Sequence, residues 1–415
     1  MGAFSCVSCF FHFFTVVKGL NQTPQSERLH IALFGRRNVG KSSLINALTG
    51  QQTAIVSNVP GTTTDPVSKS MEILPLGPCV LIDTAGFDDT GMVGNLRIQR
   101  TREVIKQADI ALLVTDGTTD IAQEISWAGQ LKQAGVPFVT VLNKTDLLQN
   151  QPTALLDEMA QKLGSEVVGV SAMNGTGLDA LRLTMARLIP DDDRASLTGR
   201  LAHAGDTVML VMPQDPQAPK GRLILPQVQT LRDLMDKGCI ATCCTTQDID
   251  QALATLHKPP HLIITDSQVF DIVEKKKPAE SLLTSFSVLM AARKGDIHGF
   301  VDSAHAIDRL NENSRVLIAE ACTHAPLAED IGREKIPRML RQRVGSGLTV
   351  DIVAGRDFPE DLSGYDLVIH CGGCMFNRRY MLQRQEQCHR QGVPMTNYGI
   401  AIAHIKGILD KVSLP

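Results

Sequence analysis

The chain has 415 residues, of which 43% are hydrophobic and 20% charged, with a formal net charge of −3. That length suits two or three domains. The near-neutral charge and an aromatic content of 4% leave neither the basic stripe nor the stacking surface that nucleic acid or an anionic membrane requires, so no nucleic-acid partner is expected. Ten cysteines without a secretory signal point to metal or redox chemistry rather than a disulfide frame, and the expected location is cytoplasmic.

Residues 1–19 stand apart. They hold five of the thirteen Phe and no charge before Lys18. The basic start and cleavage site of a signal peptide are missing, and the run is too short for a confident membrane span. Cys6 stands where a myristoylation pattern wants Ser or Thr. The segment reads as an atypical apolar N-terminal extension without stable membrane association, and the regular chain begins near Leu20.

Residues 20–190 read as the first domain. The apolar strand Leu29–Phe34 runs into Gly35-Arg36-Arg37-Asn38-Val39-Gly40-Lys41-Ser42, followed by a helix-forming stretch from Ser43. This is a phosphate loop in its required strand–loop–helix setting. Its backbone N–H groups from Asn38 to Ser43 would cradle phosphates, Lys41 would reach the β- and γ-phosphates, and Ser42 would ligate Mg²⁺. Thr62 and Thr63 lie in a polar loop suited to a switch threonine that meets the metal and the γ-phosphate. Asp83, at the end of an apolar run, supplies a carboxylate for the metal, and Gly86 a backbone contact to the γ-phosphate. Asn143-Lys144-Thr145-Asp146 follows another apolar run. The Asp146 carboxylate can accept two hydrogen bonds from guanine that adenine cannot supply, which selects GTP. Ser171 and Ala172 would cover the base. Lys41, Thr63 and Gly86 are the candidate catalytic groups, and Ser42, Thr63 and Asp83 the candidate Mg²⁺ set.

These five motifs in this order resemble the translation-factor class of GTPases, in the branch containing Era- and MnmE-like proteins. The resemblance implies that Asn38 serves a potassium ion, so that hydrolysis is K⁺-stimulated. Phe87 occupies the place of the water-orienting Gln of many GTPases and cannot polarise water, which implies slow intrinsic turnover; Asp88 and Asp89 are nearby carboxylates.

A charged stretch at Asp191–Arg194 separates the next segment. Alternating short strands and helices over 197–277 predict a small, mostly parallel α/β domain, including strands at Arg222–Leu225 and Cys239–Cys243. It carries no catalytic motif and is assigned to dimerisation, giving a homodimer. Cys243 and Cys244 point to opposite faces of one strand, so Cys239, Cys243 and Cys244 are read as packing thiols.

Residues 281–415 form a third α/β module, with helices expected at Ser281–Lys294 and Glu329–Arg343. Its strand at Arg315–Ala321 runs into Cys322-Thr323-His324, and a strand at Asp366–Ile369 into His370-Cys371-Gly372-Gly373-Cys374. If the two strands are neighbours in a parallel sheet, three thiols converge at their carboxyl ends, where open α/β sheets hold ligands. Zinc held by the three Cys and a His is one reading. A redox pair at Cys371 and Cys374 is another, though it leaves Cys322 unexplained. A three-cysteine [4Fe–4S] cluster explains the most.

The paired C-x-H and H-C-x-x-C patterns after a GTPase domain resemble the HydF family, the maturation GTPases of [FeFe]-hydrogenase. The resemblance runs from about Leu20 to the end of the chain. It implies an α/β protein in which a P-loop GTPase domain is followed by two further α/β domains with mostly parallel sheets. It implies a [4Fe–4S] cluster on Cys322, Cys371 and Cys374, with a fourth ligand among His324, Glu329 and His370. It also implies a scaffold or carrier that receives a transient di-iron precursor with the help of two radical-SAM enzymes and delivers it to the apo-hydrogenase. Lys335, Arg338, Arg341, Arg378 and Arg379 either face solvent or offer positive charge to that anionic precursor. His298, His305 and His404 lack evident metal-ligand company and are read as ordinary polar or packing residues. The alternative function is a ribosome- or tRNA-associated GTPase with a structural zinc domain.

Overall fold

The computed structural model describes residues 24–49, 67–86, 101–117, 120–148, 153–189, 196–213, 223–321, 330–355, 357–373 and 375–415. The N-terminal extension, Thr62, Thr63, Phe87, Asp88, Asp89, Cys322, His324, Glu329 and Cys374 lie outside them. The chain divides into two compact units, Met1–Leu188 and Ile189–Pro415.

The first unit is built on a six-stranded sheet of β1 (Leu29–Phe34), β2 (Val67–Ile73), β3 (Gly77–Asp83), β4 (Ile110–Thr115), β5 (Phe138–Leu142) and β6 (Val167–Gly169). The order across the sheet is β2-β3-β1-β4-β5-β6; β2 runs antiparallel to β3 and the other pairs are parallel. A parallel strand covered by helices on both faces loses the alternation of polar and apolar positions. Ile110–Thr115 and Phe138–Leu142 are accordingly buried at every position. Phe34 stacks on Trp127, the chain's one tryptophan, at 5.8 Å between ring centroids.

The second unit holds two four-stranded sheets, all parallel. One consists of β7 (Thr207–Val211), β8 (Ile240–Cys244), β9 (Leu262–Thr265) and β10 (Leu282–Ser285), in the order β10-β9-β7-β8. The other consists of β11 (Arg315–Glu320), β12 (Thr349–Ala354), β13 (Leu367–His370) and β14 (Met395–Asn397), in the order β12-β11-β13-β14. The topology is the same in both: the first strand lies between the second and the third. Chain direction across the sheet reverses between β7 and β9, and again between β11 and β13, and such reversals open a crevice at the strands' carboxyl ends. Met209, Ile263, Phe270, Leu317, Val368 and Met381 belong to one apolar cluster, so the two sheets share a core.

Three elements depart from the sequence expectations. Leu225 opens the helix Leu225–Asp236 instead of ending a strand, because Pro226 sits at its first turn with φ already suited to a helix. Leu282–Ser285 is a strand paired with β9, and only then does Ser285 cap the helix Phe286–Lys294 by accepting a hydrogen bond from Val288 N at 3.2 Å. The second sheet therefore extends past residue 277. Ile331–Lys335 forms a wide π turn before the helix Ile336–Val344; Asp330 Oδ1 caps it by accepting from the N–H groups of Gly332 and Arg333 at 2.8 and 2.9 Å. Pro337 has no N–H to continue an α-helical ladder there.

Asp233 anchors the entry to the second unit. Its carboxylate accepts from Leu197 N (2.9 Å), Thr198 N (2.9 Å), Thr198 Oγ1 (2.6 Å) and Ser196 Oγ (3.0 Å). Partial burial pushes its pKa up, but the hydrogen bonds from Thr198, Leu197 and Ser196 outweigh that and leave it lowered. A depressed folded-state value stabilises the protein above the unfolded carboxylate pKa of about 4, and the contribution is lost as pH falls through the folded value. Asp233→Ala is expected to cost about 2 kcal/mol at neutral pH, since several donors lose their acceptor. Chemical denaturation at pH 7 and pH 3 checks this: the gap between wild type and variant should shrink at the lower pH.

Candidate nucleotide site and metal centre

The nucleotide motifs gather at the carboxyl ends of β1, β3 and β5, in the position that parallel α/β sheets reserve for ligands. Asn38 adopts a left-handed backbone with φ 62°, which Asn tolerates better than most residues. Gly40 has φ +93°, and a Cβ there would collide with the Asn143 amide nitrogen, so the loop requires glycine at this place. Lys41, 7% exposed, donates to Gly35 O and Arg36 O, both at 2.8 Å. Ser42 Oγ donates to Asp83 Oδ2 at 2.6 Å. Burial raises the Asp83 pKa against the lowering effects of Ser42 and Lys41. Its Oδ1 is buried without a hydrogen-bond partner among the described residues. A hydroxyl beside a buried carboxylate oxygen in need of a partner suits a hard divalent cation such as Mg²⁺.

The base-recognition segments are tied to the phosphate loop. Asn143 Nδ2 donates to Val39 O at 2.9 Å, while its Oδ1 accepts from Ala172 N at 3.1 Å. Ser171 Oγ donates to Asp146 Oδ1 at 2.5 Å, which fixes the carboxylate. Lys144, at φ 62°, pairs with Asp116 at 2.9 Å, a partner that the sequence motifs did not single out. Gly86 is buried just beyond β3.

In the second unit, β11 and β13 are parallel neighbours, with Ala319 opposite His370. Cys371 N donates to Ala319 O at 2.9 Å. In return the Cys371 Sγ accepts from Ala321 N at 3.0 Å and, at 3.5 Å, from Gly373 N. Two amides directed at one sulfur are contacts of the kind that a metal-bound sulfur also accepts. Gly373 has φ +63°, and a Cβ there would lie 2.8 Å from Met381 Sδ, so this turn also needs glycine.

His370 is fully buried and both of its ring nitrogens are engaged. Nδ1 lies 2.8 Å from Cys371 O, which can only accept, and Nε2 lies 2.7 Å from Arg384 Nη1, which can only donate. The proton therefore sits on Nδ1. Burial, then the neighbouring guanidinium, hold the ring's pKa down to about 3 despite the Cys371 contact, so the ring is neutral. Neither nitrogen is left to ligate a metal in this arrangement; His370 braces the carbonyl of Cys371. The other two candidates for the fourth ligand, His324 and Glu329, lie outside the described residues.

Arg384 is 4% exposed and was not evident in the sequence as part of the site. It stacks on Phe358, Phe376 and Tyr380 with its guanidinium carbon 4.5, 4.7 and 5.0 Å from the ring centroids, and it also donates to Gly355 O at 2.6 Å. Tyr380 and Arg384 stand four apart on the helix Arg378–Arg390, the spacing of one helical face, while Phe358 comes from a distant stretch of the chain. Asn397 Nδ2 donates to Cys371 O at 3.3 Å from the end of β14.

Several of the basic candidates have local structural partners. Arg378 donates to Arg293 O at 2.9 Å at the end of the helix Phe286–Lys294, and Lys335 to Gln268 Oε1 at 2.6 Å. Arg338 and Arg341 line an open cavity of about 540 Å³ with Arg333 and Glu334. Cys239, Cys243 and Cys244 are spread along β8 and its approach, with Cys243 exposed and Cys244 packed against the apolar core.

The model of the hydrogen maturase F dimerization domain matches residues 197–295, and that of the hydrogen maturase F tetramerization domain matches residues 298–415. The chain belongs to the hydrogen maturase F (HydF) family. Its first unit matches the model described as 50S ribosome-binding GTPase over residues 30–144, a P-loop GTPase domain. Among curated proteins, the tRNA modification GTPase MnmE of Lactobacillus delbrueckii subsp. bulgaricus is 40% identical over 161 residues, covering 39% of this chain and 34% of that protein. The MnmE of Symbiobacterium thermophilum is 41% identical over 165 residues, with 39% and 35% covered. The match thus spans about a third of the length of these relatives. Among solved structures, an Era variant from Aquifex aeolicus bound to GDP and AlF₄⁻ covers 61% of this chain and 99% of its own at 19% identity, with a TM-score of 0.36. Era in complex with MgGDPNP and ribosomal RNA covers 52% and 92% at 20% identity, also with a TM-score of 0.36.

Replacing Asp146 by Asn would substitute a donor for one of the two acceptors that the sequence motif assigns to guanine. Asp146→Asn is expected to weaken GTP binding by roughly 10²-fold, from about 1.5–3 kcal/mol per hydrogen bond to a charged group. Binding titrations with GTP and with the xanthine analogue, for which the exchange restores complementarity, check this.

Proposed function

We propose that this HydF-family chain is a GTP-hydrolysing scaffold that binds a [4Fe–4S] cluster and assembles or delivers the di-iron precursor of the [FeFe]-hydrogenase active site. The observation that carries the reading is the Cys371 sulfur held by the amides of Ala321 and Gly373 at the ends of adjacent strands. Cys322 follows Ala321 and Cys374 follows Gly373 in the chain. Consecutive Cα atoms are about 3.8 Å apart, so each of the other two thiols belongs to a residue one peptide unit from a donor to the first. Three thiolates would hold three irons and leave the fourth corner exchangeable; bound there, the cluster would supply a docking point for the precursor. His324 and Glu329 remain the candidates for a weak ligand at that corner. His370, neutral and doubly hydrogen-bonded, sets the Cys371 backbone in place.

The nucleotide would act from the other unit of the chain. Lys41, Thr63 and Gly86 would serve phosphoryl transfer, with Ser42, Thr63 and Asp83 on Mg²⁺, and nucleotide state would govern the binding or release of apo-hydrogenase and the two radical-SAM enzymes. The match to domains named for dimerization and tetramerization supports self-association, with the homodimer as the basic unit. A cytoplasmic setting belongs to this reading; separately, among the described residues no helix is long and apolar enough to cross a membrane. The alternative of a ribosome- or tRNA-associated GTPase draws on likeness in the first unit alone.

Single substitutions Cys322→Ala, Cys371→Ala and Cys374→Ala test the reading. Each is expected to lower bound iron and to abolish activation of apo-hydrogenase while GTP hydrolysis stays within about twofold of wild type, the two sites being on separate units. Full activation by all three variants would overturn it.

The role proposed for Asn38 predicts faster hydrolysis in K⁺ than in Na⁺ at equal ionic strength, since a suitably sized cation can offset charge between the β- and γ-phosphates. Asn38→Ala should erase the difference. Equal rates in the two salts for the wild type would remove the potassium site.

A further inference from the structure

Two histidines expected to be solitary are brought together by the fold. His305 follows the helix Ile297–Ala304 and opens a 3₁₀ turn, His305–Arg309, that also carries Asp308. Side chains three apart in a 3₁₀ turn eclipse one another, so His305 and Asp308 share a side. His404 comes from the last turn of the helix Tyr398–Ile405. Its Nε2 lies 3.0 Å from Asp308 Oδ2, and His305 Nδ1 lies 3.9 Å from the same oxygen. The two imidazoles meet edge to face, with centroids 5.1 Å apart. One ligand atom from each of the three residues lies within 4.8 Å of the others.

We propose that His305, Asp308 and His404 form a second metal site, for a divalent first-row transition ion of the zinc type, separate from the cysteine centre. Two imidazoles and one carboxylate are the ligand class such ions prefer over Ca²⁺ or Mg²⁺. With bonds of about 2.0–2.2 Å, tetrahedral ligands stand roughly 3.3 Å apart, so only small side-chain rotations would close the set on one ion. The carboxylate is already oriented for the task. Arg343 donates to Asp308 Oδ1 at 2.6 Å and leaves Oδ2 turned toward both rings, a hydrogen bond that fixes the orientation of a ligating carboxylate. His305 and Asp308 are exposed while His404 is largely covered, so an ion would have an entry path and open positions for water. An ion bound there would pin the 3₁₀ turn to the final helix, 96 residues along the chain from Asp308 to His404.

Cobalt(II) provides the test, because thiolate ligation gives an intense near-ultraviolet charge-transfer band and nitrogen–oxygen ligation gives only weak visible bands. Titration of the full chain should reveal one equivalent without the sulfur band, displaceable by Zn²⁺. His305→Ala should weaken that equivalent at least tenfold and leave the sulfur-ligated signal unchanged. Zn²⁺ should raise the melting temperature of Cys322→Ser/Cys371→Ser/Cys374→Ser protein, and the rise should vanish when His305→Ala is added. His305 is exposed, so its loss leaves the core intact; circular dichroism verifies the fold, and Asp308→Asn gives a second variant of similar exposure. Absence of a sulfur-free equivalent in the wild type, or its persistence at unchanged affinity in both variants, would overturn the site.

Discussion

The parallel pairing of β11 with β13 is the constraint on which the candidate metal centre depends. It sets Ala319 opposite His370 and so delivers the amide of Ala321 to the sulfur of Cys371. A register slip of one residue would turn the His370 ring out of its buried slot and carry Cys371 away from that donor. The register is secured by burial, since Val316–Ala319 and Leu367–Ile369 are fully enclosed. It is also secured by a polar brace behind the strand, in which Arg384 holds His370 and His370 holds the Cys371 carbonyl. A guanidinium at this depth is costly to desolvate. Three aromatic faces, the Gly355 carbonyl and the imidazole offset that cost by supplying partners to a charge that would otherwise be isolated.

The same topology occurs twice in the second unit, and the two copies have diverged in chemistry. At the reversal between β11 and β13 the strands end in Glu320 and His370, and Cys371, Gly372 and Gly373 follow His370. At the reversal between β7 and β9 they end in Val211 and Thr265, and beyond β9 Ser267 pairs with Ser285 at 2.8 Å in a closed hydroxyl cluster. One crevice holds the Cys371 sulfur between two backbone amides, and the other holds a cluster of paired hydroxyls. Two sheets of one architecture thus present different side chains at their crevices, and what each could bind is set by its loops.

Much of this was legible in the sequence. The phosphate loop, the guanine motif and the two apolar runs that end in cysteine follow from local spacing, and the strands they predict are present. What escaped was set by contacts distant in the chain. Arg384 looks like any basic residue of a helix until Phe358 and His370 surround it. His305 and His404 acquire each other's company only because a helix end and a 3₁₀ turn meet. Leu282–Ser285 reads as the start of an apolar helix, and it becomes a strand because β9 offers a free edge in register. His370 adjoins a ligand candidate in sequence, which suggested ligation, whereas strand geometry turns its ring toward Arg384.

The direct test of the central claim is electron paramagnetic resonance of the anaerobically reconstituted, reduced chain before and after an exogenous ligand such as imidazole or cyanide is added. Three cysteine ligands and one exchangeable corner predict the signal of a reduced [4Fe–4S] cluster whose g-values shift on addition. A cluster signal that the added ligand leaves unchanged, or a chain that takes up zinc and no iron–sulfur cluster under these conditions, would contradict the account.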